Sequence, residues 1–558
     1  MMNNYTKYTS LLLVILGAVL FVPLLGKAHL FDWDEINFAE IAREMIVTSD
    51  YLTVQIDYLP FWEKPPLFFW LQVVTMKIFG INEFAARLPN ALAGIFTMQV
   101  LYSAGSYLYN RKFGLLWILT YIGSVLPFFY FKSGIIDPWF NLFIFSSLYL
   151  FIRFLHTDSG KHRMRFITLS GISIGLAILT KGPVGLLLLI LTGGVYLLAK
   201  RRLPAIRTQE LAAFIGMMLI FGGIWFIIQA LTGNFDIIKD FILYQIRLFR
   251  TEGAGHKGFL LYHFVVLLFG VFPASIFALK GFRKRGDDNA VQRDFRFWMI
   301  MLLAVVLVVF TIVSTKIIHY SSLAYFPLTF LAAQVAHRMI QWKIRLSRWQ
   351  SYALIFIGSI YALAMMILPF VDIIKPWLLA NDIIKDPFVN GNLQADGQWT
   401  GFEAITGFLL LSGVVTGTVL LRRNKIAKGL ITVFGSVMIS TYLITLVFIP
   451  NIERYTQHAA IAFYKQHRQE DCYFETLGFK SYADLYYTRK TPPDNPKAYN
   501  KTWLLRGNID KKAYFVTKIQ KKERFLSKYK ELEVMYEKNG FVFLRRDPPG
   551  KNHPNGNS

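Results

Sequence analysis

The chain has 558 residues, of which 54% are hydrophobic, 16% aromatic and only 17% charged; soluble domains carry roughly 25% charged residues. With a mean hydropathy of +0.40, this composition excludes a soluble globular domain and reads as an integral membrane protein. The single cysteine, Cys472, excludes an intramolecular disulfide and a cysteine metal cluster, while the net charge of +25 raises nucleic acid as a partner until its placement is considered.

The run LLLVILGAVLFVPLLG from Leu11 predicts a first span over residues 9–27, with no small-residue cleavage site behind it, so it reads as a retained signal anchor. It leads at once into FDWDEINFAEIAREM, which sets Asp32, Asp34, Glu35, Glu40 and Glu44 at the membrane exit. The stretch PPLFFWLQVVTMKIFGI, Pro65 to Ile81, is apolar enough to suggest a span. The proline pair that starts it and Lys77 within it predict instead a helix lying at the outer interface. Further spans are expected at 86–108, 113–131, 138–155, 166–180, 184–200, 210–231, 260–279, 297–314, 319–338, 351–370, 402–421 and 429–449, about thirteen in all. Lys181-Gly182-Pro183 splits two short ones. The chain therefore divides into a transmembrane part, 1–450, with a first loop at 28–85, and a polar tail, 451–558. In the tail DCYFETLGF, KAYFVTKI and GFVFLRR read as strands around helical KKERFLSKYKELE, with TPPDNPKAYN as a loop. That is a small α/β domain.

The basic residues fall in alternate connections: Arg111-Lys112, Lys161/Arg163/Arg165, Lys200-Arg201-Arg202, Lys280 to Arg296, Arg338 to Arg348 and Arg422 to Lys428. Roughly two dozen Lys and Arg lie there, against fewer than about fifteen in the opposite, longer connections. The N-terminus is thus expected in the cytoplasm, with the first loop and the tail outside. The positive charge is a topology signal, and nucleic acid is not an expected partner.

On that topology the outer side collects Asp34-Glu35, Glu63-Lys64 of FWEKPPL, Asp137 of SGIIDPWF, His256 of GAGHKGF, and Lys316, His319 and Tyr320 of STKIIHY. Ionisable groups at membrane depth cost several kcal/mol unless paired or solvated, so their convergence marks a site. Bland readings stand beside this one. Asp137 before Pro138 also suits an N-cap followed by Pro at N1; Lys316 could snorkel; His256 could be a solvated loop histidine; Asp32 and Glu44 could be solvated charges.

In order along the chain, DEINFAEIAREM, FWEKPPLFFW, EFAARLPNAL, GIIDPWF, RLFRTEGAGHKGF and STKIIHYSSLAYFPL resemble the GT-C glycosyltransferases of the bacterial aminoarabinose (lipid A) transferase type, with protein O-mannosyltransferases as more distant relatives. The resemblance covers about residues 10–340 in motif order. It implies an α-helical polytopic fold of GT-C type and transfer of a sugar such as 4-amino-4-deoxy-L-arabinose from a polyprenyl-phosphate carrier to lipid A or another envelope acceptor, at the outer face of the bacterial inner membrane. It also implies Asp34 and Asp137 as catalytic carboxylates, Lys64 and Tyr320 as contacts of the carrier phosphate, and Glu63 with His256 as holders of a divalent metal, zinc foremost. From the residues themselves, Glu35 beside Asp34 joins the catalytic candidates and Lys316 the phosphate-binding ones. Phe38 stands where Tyr is common, His319 precedes Tyr320, and Ser321-Ser322 replaces an Ile-Leu type run. No glycine-rich phosphate loop follows a strand, and Asp32-Trp33-Asp34, though it spells DxD, lies on the outer side; no nucleotide cofactor is expected. Protein O-glycosylation is the alternative. A transporter is disfavoured, because the polar residues gather at one face and no repeat is evident.

Overall fold

A computed structural model of the chain describes residues 4–61, 63–201, 205–250, 258–283, 288–381 and 383–549. Helices dominate as far as His467, and a four-stranded sheet follows. Among the described residues seven helices are long and apolar enough to cross a membrane, and nine if each of two bent pairs counts as one span. The expected spans at 113–131 and 260–279 are those pairs. Arg111–Ile122 and Val125–Lys132 meet at 86°, and Tyr262–Gly270 and Ala274–Gly281 at 114°. The second break falls at Pro273, which lacks the N–H a continuous helix requires. The two bends touch: the Val125 N–H donates to the Phe272 carbonyl at 3.1 Å. The expected span at 184–200 is a 17-residue helix, Val184–Lys200, too short to pass the same test. The segment Leu67–Phe79 is a helix of 13 residues, well short of the roughly 20 needed to cross.

Helix Tyr325–Trp342 is buried along most of its length and forms the centre of the bundle. Phe326 stacks on Phe145 at 4.2 Å, and Trp117 donates its indole N–H to the Thr329 hydroxyl at 3.2 Å. Helix Lys161–Lys181 packs closely on Thr208–Leu231, because a Cβ on Gly175 would stand 2.9 Å from the Met218 carbonyl oxygen; small residues let helix backbones approach within a bilayer.

The first loop is folded. Helix Asp34–Thr48 is buried from Glu35 to Met45. A two-residue turn, Asp57-Tyr58, joins β1 (Gln55–Ile56) to β2 (Leu59–Pro60), with φ of 54° and 57°, as a type I′ hairpin requires. Glu44 accepts the N–H groups of both turn residues, at 2.7 and 2.9 Å. Glu44 is thus buried and structural, and the solvated reading of it is corrected.

The C-terminal sheet is ordered β3-β4-β6-β5, with β3 (Cys472–Leu477) parallel to β4 (Lys512–Lys518), and β5 (Glu533–Lys538) and β6 (Phe541–Arg546) antiparallel. Three strands match the sequence reading and β5 is an addition. Helix His458–His467 packs on one face, Phe463 meeting Phe543 at 4.6 Å. This unit sits directly on the first loop. The Leu30 N–H donates to the Tyr487 hydroxyl at 2.7 Å, and the Lys490 carbonyl accepts from Arg43 at 2.7 Å and from the Tyr58 hydroxyl at 2.6 Å. One buried apolar cluster runs through both, joining Ile36 and Phe38 to Tyr464, Tyr486 and Phe543.

Candidate functional site

Beneath the first loop lies a cleft lined by Lys64, Asp137, Lys181, Gln245 and Tyr320 with an apolar wall that includes Leu188 and Phe310. Its polar groups arrive on separate elements. Lys64 comes from the turn before helix Leu67–Phe79. The Tyr244 ring backs its ammonium at 5.5 Å, and Glu63 lies 4.0 Å away. Burial, with Lys181 adding like charge, holds Lys64 below the usual lysine range, while Glu63, Asp34 and Asp137 oppose the shift. The cleft therefore concentrates cationic groups that an anion would relieve.

Asp137 is the first residue of helix Asp137–Leu155, with Ile136 at the cap, so the N-cap reading of Asp137 gives way. Its Oδ1 pairs with Lys181 Nζ at 2.7 Å, whereas the buried Oδ2 has no hydrogen-bond partner among the described residues. Buried polar atoms are nearly always satisfied, so an orphan in a cleft points to a ligand. Lys181 went unassigned in the sequence reading, although Lys181-Gly182-Pro183 was visible as a break. The helix ends at Lys181 and Gly182 follows with φ 92°, which leaves the ammonium over the rings of Phe140 and Tyr320, 5.6 Å from each.

Asp34 opens helix Asp34–Thr48, and its Oδ2 lies 3.6 Å from His319 Nε2. His319 and Tyr320 come from the 3₁₀ turn Ile318–Ala324, whose Ser322 hydroxyl accepts from Asn141 at 2.7 Å. His319 faces Asp34, Asp137, Lys64 and Lys181 together. The structure thus brings Asp34, Lys64, Asp137, His319 and Tyr320 to one place and adds Lys181.

Two expected site residues are committed elsewhere. Glu35 forms a bidentate pair with Arg87, at 2.7 and 3.1 Å, and accepts the N–H groups of Phe31 and Gly134 at 2.9 and 2.5 Å. Burial alone would raise its pKa, but Arg87 and these donors hold it below the usual carboxylate range. Arg87 in turn donates to the carbonyls of Leu25, Ala28 and His29, so Glu35 fastens the loop rather than entering the chemistry. Lys316 donates to the carbonyls of Phe310, Thr311 and Val313 at 2.7–2.9 Å, satisfying the end of helix Ala290–Ile312. It does not line the cleft.

Of the pair expected to hold a metal, Glu63 is half-buried beside Tyr244, and His256 lies outside the described residues. A different group can coordinate a divalent ion: the donor atoms of His29, Glu453 and His458 lie within 4.8 Å of one another.

Comparison with known proteins agrees with this architecture. The family described as dolichyl-phosphate-mannose-protein mannosyltransferase matches residues 63–226. The undecaprenyl phosphate-alpha-4-amino-4-deoxy-L-arabinose arabinosyl transferase of Pectobacterium carotovorum is 24% identical over 380 residues, 68% of this chain and 68% of the relative. The enzyme of that name from Yersinia enterocolitica is 25% identical over 335 residues, 58% of each. The crystal structure of ArnT from Cupriavidus metallidurans bound to undecaprenyl phosphate superposes with a TM-score of 0.76 over 97% of this chain and 98% of that one, at 20% identity; its apo form gives 0.74. The fold is shared from end to end, whereas the sequence matches span 58–68% of these two relatives.

Proposed function

We infer that this chain, a GT-C fold protein related in sequence to the aminoarabinosyl transferases, is a membrane glycosyltransferase that moves a sugar from a polyprenyl-phosphate carrier to an envelope acceptor. We place it in the bacterial inner membrane with about thirteen passes, three or more of them short or bent, with the N-terminus inside and the first loop and C-terminal domain outside, on the charge distribution described above. The carrying observation is the cleft itself, where Lys64 and the Asp137–Lys181 pair stand against an apolar wall. Such a site suits a phosphate headgroup on a hydrocarbon tail.

The residues divide the reaction between them. The bond from the anomeric carbon to the carrier phosphate oxygen breaks and one to the acceptor oxygen forms, with charge growing on the departing phosphate. Lys64, aimed into the cleft, offsets that charge, and the Tyr320 hydroxyl donates to it. Asp34 orients the acceptor or removes its proton. Asp137, with one oxygen held by Lys181, presents the other to the sugar or acceptor. The resemblance to the aminoarabinose enzymes implies a metal at Glu63 and His256 that would tie the first loop to the connection at 232–259, and none of these steps passes through it. The apolar wall holds the first isoprene units. Helix Leu67–Phe79, lying at the interface, keeps the carrier's tail in lipid.

Mass spectrometry of lipid A from matched cells carrying the wild-type, Asp34→Asn or Lys64→Ala gene tests this reading. A sugar-sized mass lost in both variants, with protein levels unchanged, is expected. Lipid A identical in all three removes lipid A as the acceptor. A second reading rests on the Asp34–His319 contact: a hydroxyl acceptor has a proton to lose and an ionised phosphate does not. Glycans on envelope proteins that vanish in the same variants would favour protein O-glycosylation.

A further inference from the structure

We propose that His29, Glu453 and His458 form a zinc-class metal site that staples the exit of the first span to the end of the last one and to the start of the C-terminal domain. This site lies apart from the cleft and shares no residue with it, and the proposal is independent of the reaction assigned above.

The three ligands come from three segments that the fold holds rigidly. His29 follows the first helix, and its backbone carbonyl accepts from Arg87 at 2.9 Å. Glu453 sits in helix Ile449–Arg454, beyond the last apolar run, and is 3% exposed. His458 begins helix His458–His467. Its neighbour Gln457 donates to the Leu30 carbonyl at 2.6 Å and accepts from the Asp32 N–H at 3.3 Å, which turns His458 toward His29. The two imidazoles then flank one carboxylate, each through Nδ1. His29 Nδ1 is 3.0 Å from Oε1, and His458 Nδ1 is 3.0 Å from Oε2. The ring centroids are 5.4 Å apart.

Donor atoms around a tetrahedral zinc ion, at about 2.0–2.1 Å, lie about 3.3–3.4 Å from one another. The two nitrogen–oxygen distances need only a slight opening to reach that spacing, whereas the three donor atoms taken together, within 4.8 Å of one another, must draw closer for one ion to meet all of them. Two imidazole nitrogens and one carboxylate oxygen are a borderline donor set, suited to zinc and its transition-metal neighbours rather than to calcium or magnesium, which prefer oxygen alone. His458 is half-exposed, which leaves a fourth position for water.

Loading also makes a specific demand on protons. Without an ion, both Nδ1–H groups donate to Glu453, and His29 Nε2 accepts from Lys465 Nζ at 2.8 Å. Binding displaces the Nδ1 protons and leaves an N–H at His29 Nε2, which the Lys465 ammonium cannot accept. Lys465 then moves to the Glu83 carboxylate, now 3.7 Å away. A Lys465→Gln side chain, with an amide oxygen to receive that N–H, should bind metal more tightly, as outer-shell acceptors do.

The test uses full-length protein in detergent, stripped with chelator and titrated with zinc. Metal per chain is read by mass spectrometry, and thermal unfolding is followed with and without zinc. Glu63→Gln is the background, so that an ion held at that residue does not count. About one equivalent is expected to bind and to raise the unfolding midpoint. His458→Ala should lose both effects, and Lys465→Gln should lower the dissociation constant several-fold. Cobalt supplies a readout that needs no His458 variant: four-coordinate N/O ligation gives visible absorption in the Glu63→Gln protein, and zinc should displace it. Equal stoichiometry and equal thermal response with and without His458, or no absorption with cobalt, overturns the proposal.

Discussion

Glu35 and Asp34 are adjacent, acidic and equally suggestive in the sequence, yet the fold gives them opposite tasks. Glu35 is buried against Arg87 with two further backbone donors. Glu35→Gln is expected to cost about 3–5 kcal/mol, the range for breaking a buried ion pair. The loss should appear as a lower Tm, with transfer per folded molecule nearly unchanged. His319 is expected to behave the other way. If Asp34 removes the proton of a hydroxyl acceptor, His319→Ala, which deletes the imidazole 3.6 Å from that carboxylate, should slow transfer by about 100-fold and shift the pH–rate profile; for an ionised phosphate acceptor, turnover should barely change. Either outcome, read by transfer from labelled carrier at several pH values, fixes the acceptor class. Polar residues at span ends are rare and conspicuous, so the sequence gathered Asp34, Lys64, Asp137, His319 and Tyr320 on one side, and the motif resemblance supplied the expected roles of Asp34, Lys64, Asp137 and Tyr320. Sequence reasoning left Lys181 aside because a lysine before Gly-Pro also reads as a helix stop, and only the fold shows the ammonium 2.7 Å from Asp137.

Among the elements, the hairpin of the first loop makes the clearest pH prediction. Burial and the neighbouring Glu40 push Glu44 up to about 9, against about 4.3 in the unfolded chain. Between those values the folded loop keeps a proton that the unfolded chain has lost. Stability is therefore greatest below the unfolded value and declines as pH rises through the folded one. Tm should fall between pH 6 and 9.5 in the wild type, and Glu44→Gln, neutral throughout, should flatten that slope. Helices of uniform apolarity were legible at this scale, and so were three strands of the C-terminal sheet. β5 was not: EVMYEK lies at the sheet edge and is mostly exposed, so it carries no apolar alternation by which to be recognised. The bends at 86° and 114° also escaped, because hydropathy measures how greasy a segment is and not whether it is straight.

At the scale of the molecule, charge asymmetry gave the expected side of the site without any structure. It said nothing of how the tail attaches, since that depends on contacts more than 400 residues apart in sequence. Lys490 concentrates them: its ammonium pairs with Asp57 at 2.5 Å, and its carbonyl receives Arg43 and Tyr58. Lys490→Glu would add a carboxylate beside Asp57, Asp484 and Glu475, which now face the ammonium, and should destabilise the docking by on the order of 1–3 kcal/mol. Limited proteolysis of the chain beyond residue 454 should then proceed faster, while the cleft residues stay in place.

The apolar cluster shared by helix Asp34–Thr48 and the C-terminal sheet has a consequence for how such proteins diverge. A tail grafted from a relative would meet a first loop shaped for a different partner, with Phe38 and Ile36 facing the wrong surface. Residues 30–60 and 455–549 can therefore be exchanged only together, and chimeras that swap one without the other should fail at assembly, before any question of substrate arises.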